Sequence, residues 1–216
     1  MCPLAEPRNT RNDQILGDAP AGPESSDTGF CVRRVGAVIL AAGASTRLGQ
    51  PKQLVMVGAE NLLERSARVA REAGCSPVIV VLGSSAKGIA EASALDDAHV
   101  VVNDAWQEGV GASVRVGVRV LPNVEGCVLM TCDMPAVTAA HLRSLIRAGE
   151  IAASCYAARR GVPAYFPASV FDRLMELQGD TGAKSLLQSA RCIELPGGEF
   201  DVDKIEDIER LRTLFK

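Results

Sequence analysis

VGAVILAAGASTRLGQPKQL, residues 35–54, decides how the chain is read. Its apolar run, Val35–Leu40, has no polar alternation, the pattern of a strand buried on both faces. The run ends in Ala41-Ala42-Gly43 and a small polar loop, Ala44-Ser45-Thr46, with Arg47, Gly49, Pro51 and Lys52 close behind. Small residues let a backbone approach a ligand closely, and successive amides of such a loop can form an anion-binding nest. Arg47 and Lys52 place charge where a polyphosphate requires it. The stretch therefore reads as a loop for a nucleoside triphosphate. Gly43 and Gly49 are not spaced as a Walker A loop, no Gly-Lys-Ser/Thr follows, and the strand does not run into GxGxxG. On its glycines alone the stretch reads equally as a tight connection; two cations at a strand end argue against that.

Outward from this loop, short apolar runs alternate with helical patterns. Asn61–Ala73 carries apolar residues at helical spacing and stops at Gly74. Pro77–Leu82, Val100–Asn103 and Cys127–Thr131 read as further strands. Ser84 or Ser85 is placed to cap a helix to about Ala94, Ala112–Leu121 reads as a helix stopped by Pro122, and Thr138 is placed to cap one reaching about Ile151. Ser154–Ala158 and Ala164–Pro167 read as strands around a glycine turn, Ser169–Leu177 and Gly182–Ser189 as helices, Arg191–Leu195 as a last strand and Lys204–Leu214 as the closing helix. The alternation predicts an α/β fold with a parallel, doubly wound sheet, whose ligands sit beyond the carboxyl ends of its strands. The opening loop and Asp133 both fall there.

Residues 1–30 hold four of the eleven prolines and little periodic apolar pattern, and read as a flexible extension; residues 31–216 read as one domain. The extension also carries the whole net charge of −3, from five acidic and two basic residues, so the rest is neutral. No basic field points to nucleic acid, no basic amphipathic helix to a membrane surface, and no apolar run reaches the roughly 18 residues of a span. Neither a basic n-region nor an apolar h-region marks a secretory signal. Seven cysteines without a CxxC pair, several in apolar runs, and only two histidines argue against zinc and for reduced thiols in the cytoplasm.

Four groups of residues carry chemistry. Asp133, at a strand end and pinned by Pro135, suits a hard cation, which takes one or two carboxylates and fills its shell with phosphate oxygens and water; a lone Asp is otherwise a cap or a surface acid. Asp201 and Asp203 alternate on an extended segment and so share a side, and they also stand where they can cap the last helix. Ser113 is near a helix start, where it either caps or faces a ligand; Trp106 is the only tryptophan. Arg159 and Arg160 beside Gly161 suit either an acceptor phosphate or a solvated turn. His141 reads as structural.

These blocks together resemble the nucleotidyltransferases of the molybdenum-cofactor type, which share a GT-A-like fold with sugar-phosphate and methylerythritol-phosphate nucleotidyltransferases. The resemblance is carried by Leu40-Ala41-Ala42-Gly43-x-Ser45-x-Arg47-Leu48-Gly49-x-Pro51-Lys52-x-Leu54, by Asn103, Trp106, Gly109, Ser113 and Gly117, and by Thr131-Cys132-Asp133-Met134-Pro135. Gly161-x-Pro163-Ala164-x-Phe166-Pro167, Gly179-Asp180-x-Gly182-Ala183 and Asp201-Val202-Asp203 extend it over about residues 35–216. It implies a three-layer α/β/α fold with a mostly parallel, Rossmann-like sheet. It also implies Mg²⁺-dependent transfer of CMP from CTP to a molybdopterin-type phosphate, with a molybdoenzyme as eventual partner. Arg47, Lys52 and Asp133 would be catalytic, Leu40, Ala41, Ala42, Gly43, Gly83 and Ser113 would meet the nucleotide, and Asp133 with Asp203 would hold the metal. The cytidylyl branch tends to have Leu-Ala-Ala-Gly and the guanylyl branch Leu-Ala-Gly-Gly, so Ala42 points to CTP. Transfer of another nucleotide to a different phosphate monoester, and a non-catalytic cofactor-binding maturation factor, remain as alternatives.

Overall fold

The structure, a computed structural model, describes residues 34–214; the expected extension over residues 1–30 lies outside them. The chain runs through β1 (Val35–Ala41), the short strands β2 (Met56–Val57) and β3 (Glu60–Asn61), α1 (Leu62–Glu72), β4 (Val78–Leu82), α2 (Ala86–Glu91), β5 (His99–Val102), α3 (Val110–Arg119) and β6 (Gly126–Thr131). It continues through α4 (Ala139–Arg147), β7 (Ala152–Tyr156), β8 (Arg159–Pro167), α5 (Phe171–Met175), α6 (Lys184–Leu187), β9 (Arg191–Glu194) and α7 (Ile205–Leu214). Seven strands form one sheet in the order β5-β4-β1-β6-β8-β7-β9. All neighbouring pairs are parallel except those of β8, which runs against both β6 and β7.

β1 is buried at every position. Ala37 and Ile39 join the core under α1, α2 and α4, where Leu63, Ile89 and Leu142 pack. Val38 and Leu40 join the opposite core, under α3, α5 and α6, with Val114, Leu174 and Leu187. Side chains of a strand alternate between faces, so an unbroken apolar run requires helices on both. The mostly parallel three-layer arrangement expected from the sequence is thus present. Gly117 of α3 brings that helix close to β1: a Cβ there would overlap the Val38 side chain.

Local chemistry fixes the helix ends. Asn61 accepts from the Glu64 amide at 2.9 Å while Glu64 accepts from the Asn61 amide at 2.8 Å, a reciprocal capping box that starts α1. Thr138 caps α4 through the His141 amide, as expected, but α4 stops at Arg147, because Gly149 takes a φ of 71° rather than extending the helix toward Ile151. α2 is also shorter than expected; Ser85 precedes it at φ 55° and makes no capping bond. The expected glycine turn is corrected as well. Ala157 and Ala158, at φ 45° and 56°, turn the β7–β8 hairpin, and Arg159–Gly161 lie within β8. Gly161 instead makes room for the Tyr156 hydroxyl.

Cys75, Cys127 and Cys132 are buried free thiols. Burial pushes Cys75 up to about 12, and burial together with Asp133 does the same for Cys132. Cys155 and Cys192 are bridged, contrary to the expectation of reduced thiols: β7 and β9 lie side by side and place the two Cα atoms 5.6 Å apart. Among the described residues no helix is long and apolar enough to cross a membrane.

His141 is buried, its Nε2 lying 2.7 Å from Ser154 Oγ, and that hydroxyl lies 2.6 Å from the Pro163 carbonyl. A carbonyl only accepts, so the serine proton goes to Pro163 and Nε2–H of the imidazole donates to the serine. Burial lowers the His141 pKa from its ordinary value. The unfolded chain then takes up a proton below about pH 6.5 that the folded chain resists, so stability is greatest above that pH and declines as pH falls through it. His141→Gln, which keeps a donor and does not titrate, is expected to flatten that slope in urea unfolding between about pH 7.5 and pH 5.5, roughly one unit either side of the ordinary imidazole value. Gly117→Val is expected to cost about 1–3 kcal/mol by overpacking α3 against β1, read as a lower urea midpoint.

Candidate active site

The loop that leaves β1 is held from below by Gln53, which is 1% exposed. Its Nε2 donates to the carbonyls of Ala41 at 2.7 Å and Gly43 at 3.2 Å. The Ala42 carbonyl accepts from the Ser84 amide at 3.1 Å. Ser45, at φ 52°, accepts from the Lys52 amide through its hydroxyl at 3.1 Å and from the Leu48 amide through its carbonyl at 3.0 Å. The ten residues after β1 are thus folded back so that Lys52 stands over the strand end. Gly83 follows β4 directly beneath: a Cβ there would lie 2.8 Å from the Ala42 carbonyl oxygen and against Trp106.

Leu40, Ala41, Ala42 and Gly43 line one wall of a cavity of about 380 Å³, with Lys52 and Gln53 beside them. Trp106, Gly109, Val110 and Ser113 line another part, and Thr131, Asp133 and Asp180 a third. Ser113 does not cap α3. It sits inside the helix and accepts from Asn103 Nδ2 at 3.0 Å, while Asn103 accepts from the Ala105 amide at 3.1 Å, which ties the Trp106 turn to the helix.

Asp133 lies two residues past the end of β6 and is 9% exposed. Lys52 Nζ donates to its Oδ2 at 2.5 Å and to Asp203 Oδ1 at 3.0 Å, and Arg47 donates to Asp203 Oδ2 at 2.8 Å. The Asp133 carbonyl accepts from the Val202 amide at 2.9 Å, which brings residues 201–203 against the β6 loop. Burial opposes the charge on Lys52, but Asp133 and Asp203 outweigh it and hold the amine above its ordinary range. Burial likewise opposes the charge on Asp203, and Lys52 and Arg47 outweigh it, so that carboxyl sits below its ordinary value. Asp201 is raised, by burial and then by the like charges of Asp133 and Asp203. Asp207, in the first turn of α7, accepts from the amides of Asp203 and Lys204 at 3.0 and 2.8 Å, while the Asp203 carboxylate is taken up by Lys52 and Arg47.

A second cavity of about 250 Å³ shares Leu40, Val110, Thr131 and Asp180 with the first. Arg159, Arg160, Lys184 and Tyr156 line it. Arg160 is tethered to the Ala190 carbonyl at 3.0 Å, and the Arg159 guanidinium stands 5.2 Å from the Tyr156 ring centre.

Most of the expected site residues are therefore brought together. Leu40–Gly43, Lys52, Ser113 and Asp133 line the first cavity; Arg47, 68% exposed, and Asp203 join it through the ion network. Gly83 supports the wall from behind. Sequence reasoning passed over Gln53, and it named Asp180 only within the Gly179–Ala183 block, without a role of its own. The signal for Gln53 was its place next to Lys52, in the turn that follows Pro51. Asp180 was signalled by Gly109, whose missing side chain leaves room for the Gly179–Asp180 loop.

Two carboxylates that converge on one ammonium can also share one cation of similar reach. Among the described residues no group of three His, Cys, Asp or Glu could hold a metal by itself. That donor set fits magnesium, which takes few protein carboxylates and completes its shell with phosphate oxygens and water.

Residues 37–194 match the MobA-like NTP transferase domain. The chain is 30% identical over 193 residues to nicotine blue oxidoreductase of Paenarthrobacter nicotinovorans, a match spanning 81% of this chain and 94% of that protein. It is 31% identical over 116 residues to a probable molybdenum cofactor guanylyltransferase of Opitutus terrae, over 51% of this chain and 53% of that protein. The crystal structure of Rv0371c from Mycobacterium tuberculosis in complex with manganese superposes with a TM-score of 0.69 at 36% identity, covering 83% of this chain and 98% of that one. The loop beyond β1 and the aspartate beyond β6 thus stand within a shared domain, and the chain belongs to the MobA-like NTP transferase family of nucleotidyltransferases.

Proposed function

We propose that this chain transfers CMP from CTP to the phosphate of a molybdopterin-type acceptor and releases pyrophosphate, in a Mg²⁺-dependent reaction. The observation that carries the reading is the linked set Arg47–Asp203–Lys52–Asp133 at the edge of a cavity walled by Leu40–Gly43. A phosphate monoester is already a nucleophile near neutral pH, so catalysis requires positioning and charge neutralisation rather than a buried base. Lys52 and Arg47 hold the β- and γ-phosphates and stabilise the departing pyrophosphate. Asp133 and Asp203 would hold Mg²⁺, which supplies neutralisation of phosphate charge. The second cavity, with Arg159, Arg160 and Lys184 on its wall and a wall shared with the first, receives the acceptor. CTP as donor, a molybdoenzyme as eventual recipient and a cytoplasmic setting belong to the same proposal, as does one catalytic domain over residues 31–216.

The base assignment rests on Ala42 and on the loop's free groups. The carbonyls of Ala41, Ala42 and Gly43 are all committed to protein donors, so the loop's amides are what it offers a ligand. Amide donors suit the two acceptors of cytosine, O2 and N3, better than the two donors on the pairing edge of guanine. One methyl group alone discriminates by only about 1–3 kcal/mol. Guanylyl transfer is the second reading, favoured by the relationship to the Opitutus terrae protein.

With Mg²⁺, molybdenum cofactor and each of the four nucleoside triphosphates in turn, pyrophosphate release is expected to be fastest with CTP; faster release with GTP would reassign the base. No release with any of them, together with tight cofactor binding, would support a non-catalytic carrier. Asp133→Asn is expected to lower kcat by about 100-fold or more with an unchanged thermal midpoint, in line with removal of a group that stabilises transition-state charge; unaltered kcat would remove Asp133 from the site.

A further inference from the structure

Lys52 holds the oxygens that the proposed reaction assigns to the metal. Its Nζ is 2.5 Å from Asp133 Oδ2 and 3.0 Å from Asp203 Oδ1, and Arg47 takes the other oxygen of Asp203. The three side chains that share this contact are largely shielded, at 20% exposure for Lys52, 13% for Asp133 and 27% for Asp203, so bulk water screens it weakly. An ammonium and a divalent cation cannot both sit between the same two carboxylates, because each needs the same lone pairs and the two charges repel. Lys52 also lines the cavity in which a triphosphate would lie. Its backbone is pinned, since the Lys52 amide donates to Ser45 Oγ. Its side chain is a flexible four-carbon stem that can swing without moving the loop.

We propose that the Lys52 ammonium and a divalent cation compete for Asp133 and Asp203, and that a bound triphosphate relieves the competition by drawing the ammonium onto its own oxygens. Lys52 is then a counter-ion that changes partners. The second half of this inference rests on the nucleotidyl-transfer reading; the competition itself does not. Its consequence is reciprocal coupling: a triphosphate strengthens metal binding by taking the amine away, and the metal strengthens triphosphate binding by keeping the amine available. The cation is admitted together with the substrate that it serves.

The test is Mn²⁺ binding without nucleotide, followed by the electron paramagnetic resonance signal of free Mn²⁺, in the wild type, Lys52→Met and Lys52→Gln. Both variants are expected to bind Mn²⁺ at least about fivefold more tightly than the wild type, the lower end of typical site-to-site coupling. Adding Asp133→Asn to Lys52→Met is expected to abolish the gain. Equal or weaker binding in both variants overturns the competition. A second measurement needs no loss of the amine: in wild-type protein with ¹⁵N-labelled lysine, the Lys52 ammonium resonance, assigned by its disappearance in Lys52→Arg, is expected to persist with Mg²⁺ alone and to shift when Mg²⁺ and inorganic tripolyphosphate are added together. Loss of the signal with Mg²⁺ alone, or no shift with both, overturns the exchange. The two readings fail separately. Turnover of CTP without a Mn²⁺ gain would retain the transfer reaction and remove the competition; a Mn²⁺ gain without pyrophosphate from any nucleotide would do the reverse.

Discussion

The parallel pairing of β1 with β4 on one side and β6 on the other is the constraint from which the site follows. Leu40 pairs with Thr131 and Ala41 with Leu82. Parallel strands end at the same edge, so Ala42, Gly83 and Asp133 emerge together beyond it, although 91 residues of sequence separate the first from the last. The register does the positioning. A slip of β6 by one residue would turn its side chains to the opposite faces and carry Asp133 about 3.3 Å along the strand, out of reach of Lys52. Burial of β1 on both faces makes such a slip expensive, because every apolar contact of Val38 and Ile39 depends on it.

That rigid floor supports a charged group that does little for stability. Arg47 and Lys52 balance Asp133 and Asp203, while Asp201 adds a further carboxyl whose charge is disfavoured by burial and by its two neighbours. Taking such groups partly out of water costs several kcal/mol per ion before their attraction is counted, and a packed apolar cluster would do the same structural work more cheaply. Their placement makes sense as a surface for a ligand that carries both signs of charge, such as a metal-bound triphosphate. The two aspartates come from distant parts of the chain, joined by the Val202 amide on the Asp133 carbonyl, so the network around Lys52 is closed only when the segment before α7 is docked. Phe200, Val202 and Leu211 secure that docking in a small apolar cluster with Leu48, Val55 and Leu62.

Much of this was legible in the sequence wherever the determinant is local. The run at Val35–Leu40, the helical spacing that begins at Asn61, Thr138 before α4, and the separate placement of Ala42, Gly43 and Lys52 after one strand and Asp133 after another all show themselves within a few residues. What was not legible depends on register or on partners far along the chain. The bridge between Cys155 and Cys192 exists because β7 and β9 are neighbours, and no spacing rule points to it. The β7–β8 turn falls on two alanines in the left-handed region, where sequence signals favour glycine, and so Arg159 and Arg160 belong to a strand rather than a turn. At the start of α7 it is Asp207, within the first turn, that binds the preceding amides, where Asp201 and Asp203 had looked suited to cap the helix. β2 and β3 are two residues each, too short for any alternation to register.

The site divides into parts that are fixed and parts that can move, and this division suits the chemistry of transfer. Loop carbonyls at Ala41, Ala42 and Gly43 are locked by Gln53 and Ser84, Ser113 is locked by Asn103, and Gly109 lets the Asp180 loop pack against α3. On the proposed reading these groups hold a base and ribose in one orientation, since a displaced α-phosphate would spoil in-line attack. The charged ends are different: Arg47 is mostly exposed, and Lys52 carries its ammonium on a long stem. In nucleotidyl transfer negative charge leaves the attacking phosphate oxygen and builds on the α–β bridging oxygen as pyrophosphate departs, and cations on flexible stems can follow it at small cost. Leu40, Val110 and Thr131 face both cavities as apolar or neutral groups, and Asp180 adds one carboxylate to the same shared wall. In the proposed reaction that carboxylate repels phosphate on either side, so the approach of donor and acceptor falls to the cations at the rim, Lys52 on one side and Arg159, Arg160 and Lys184 on the other.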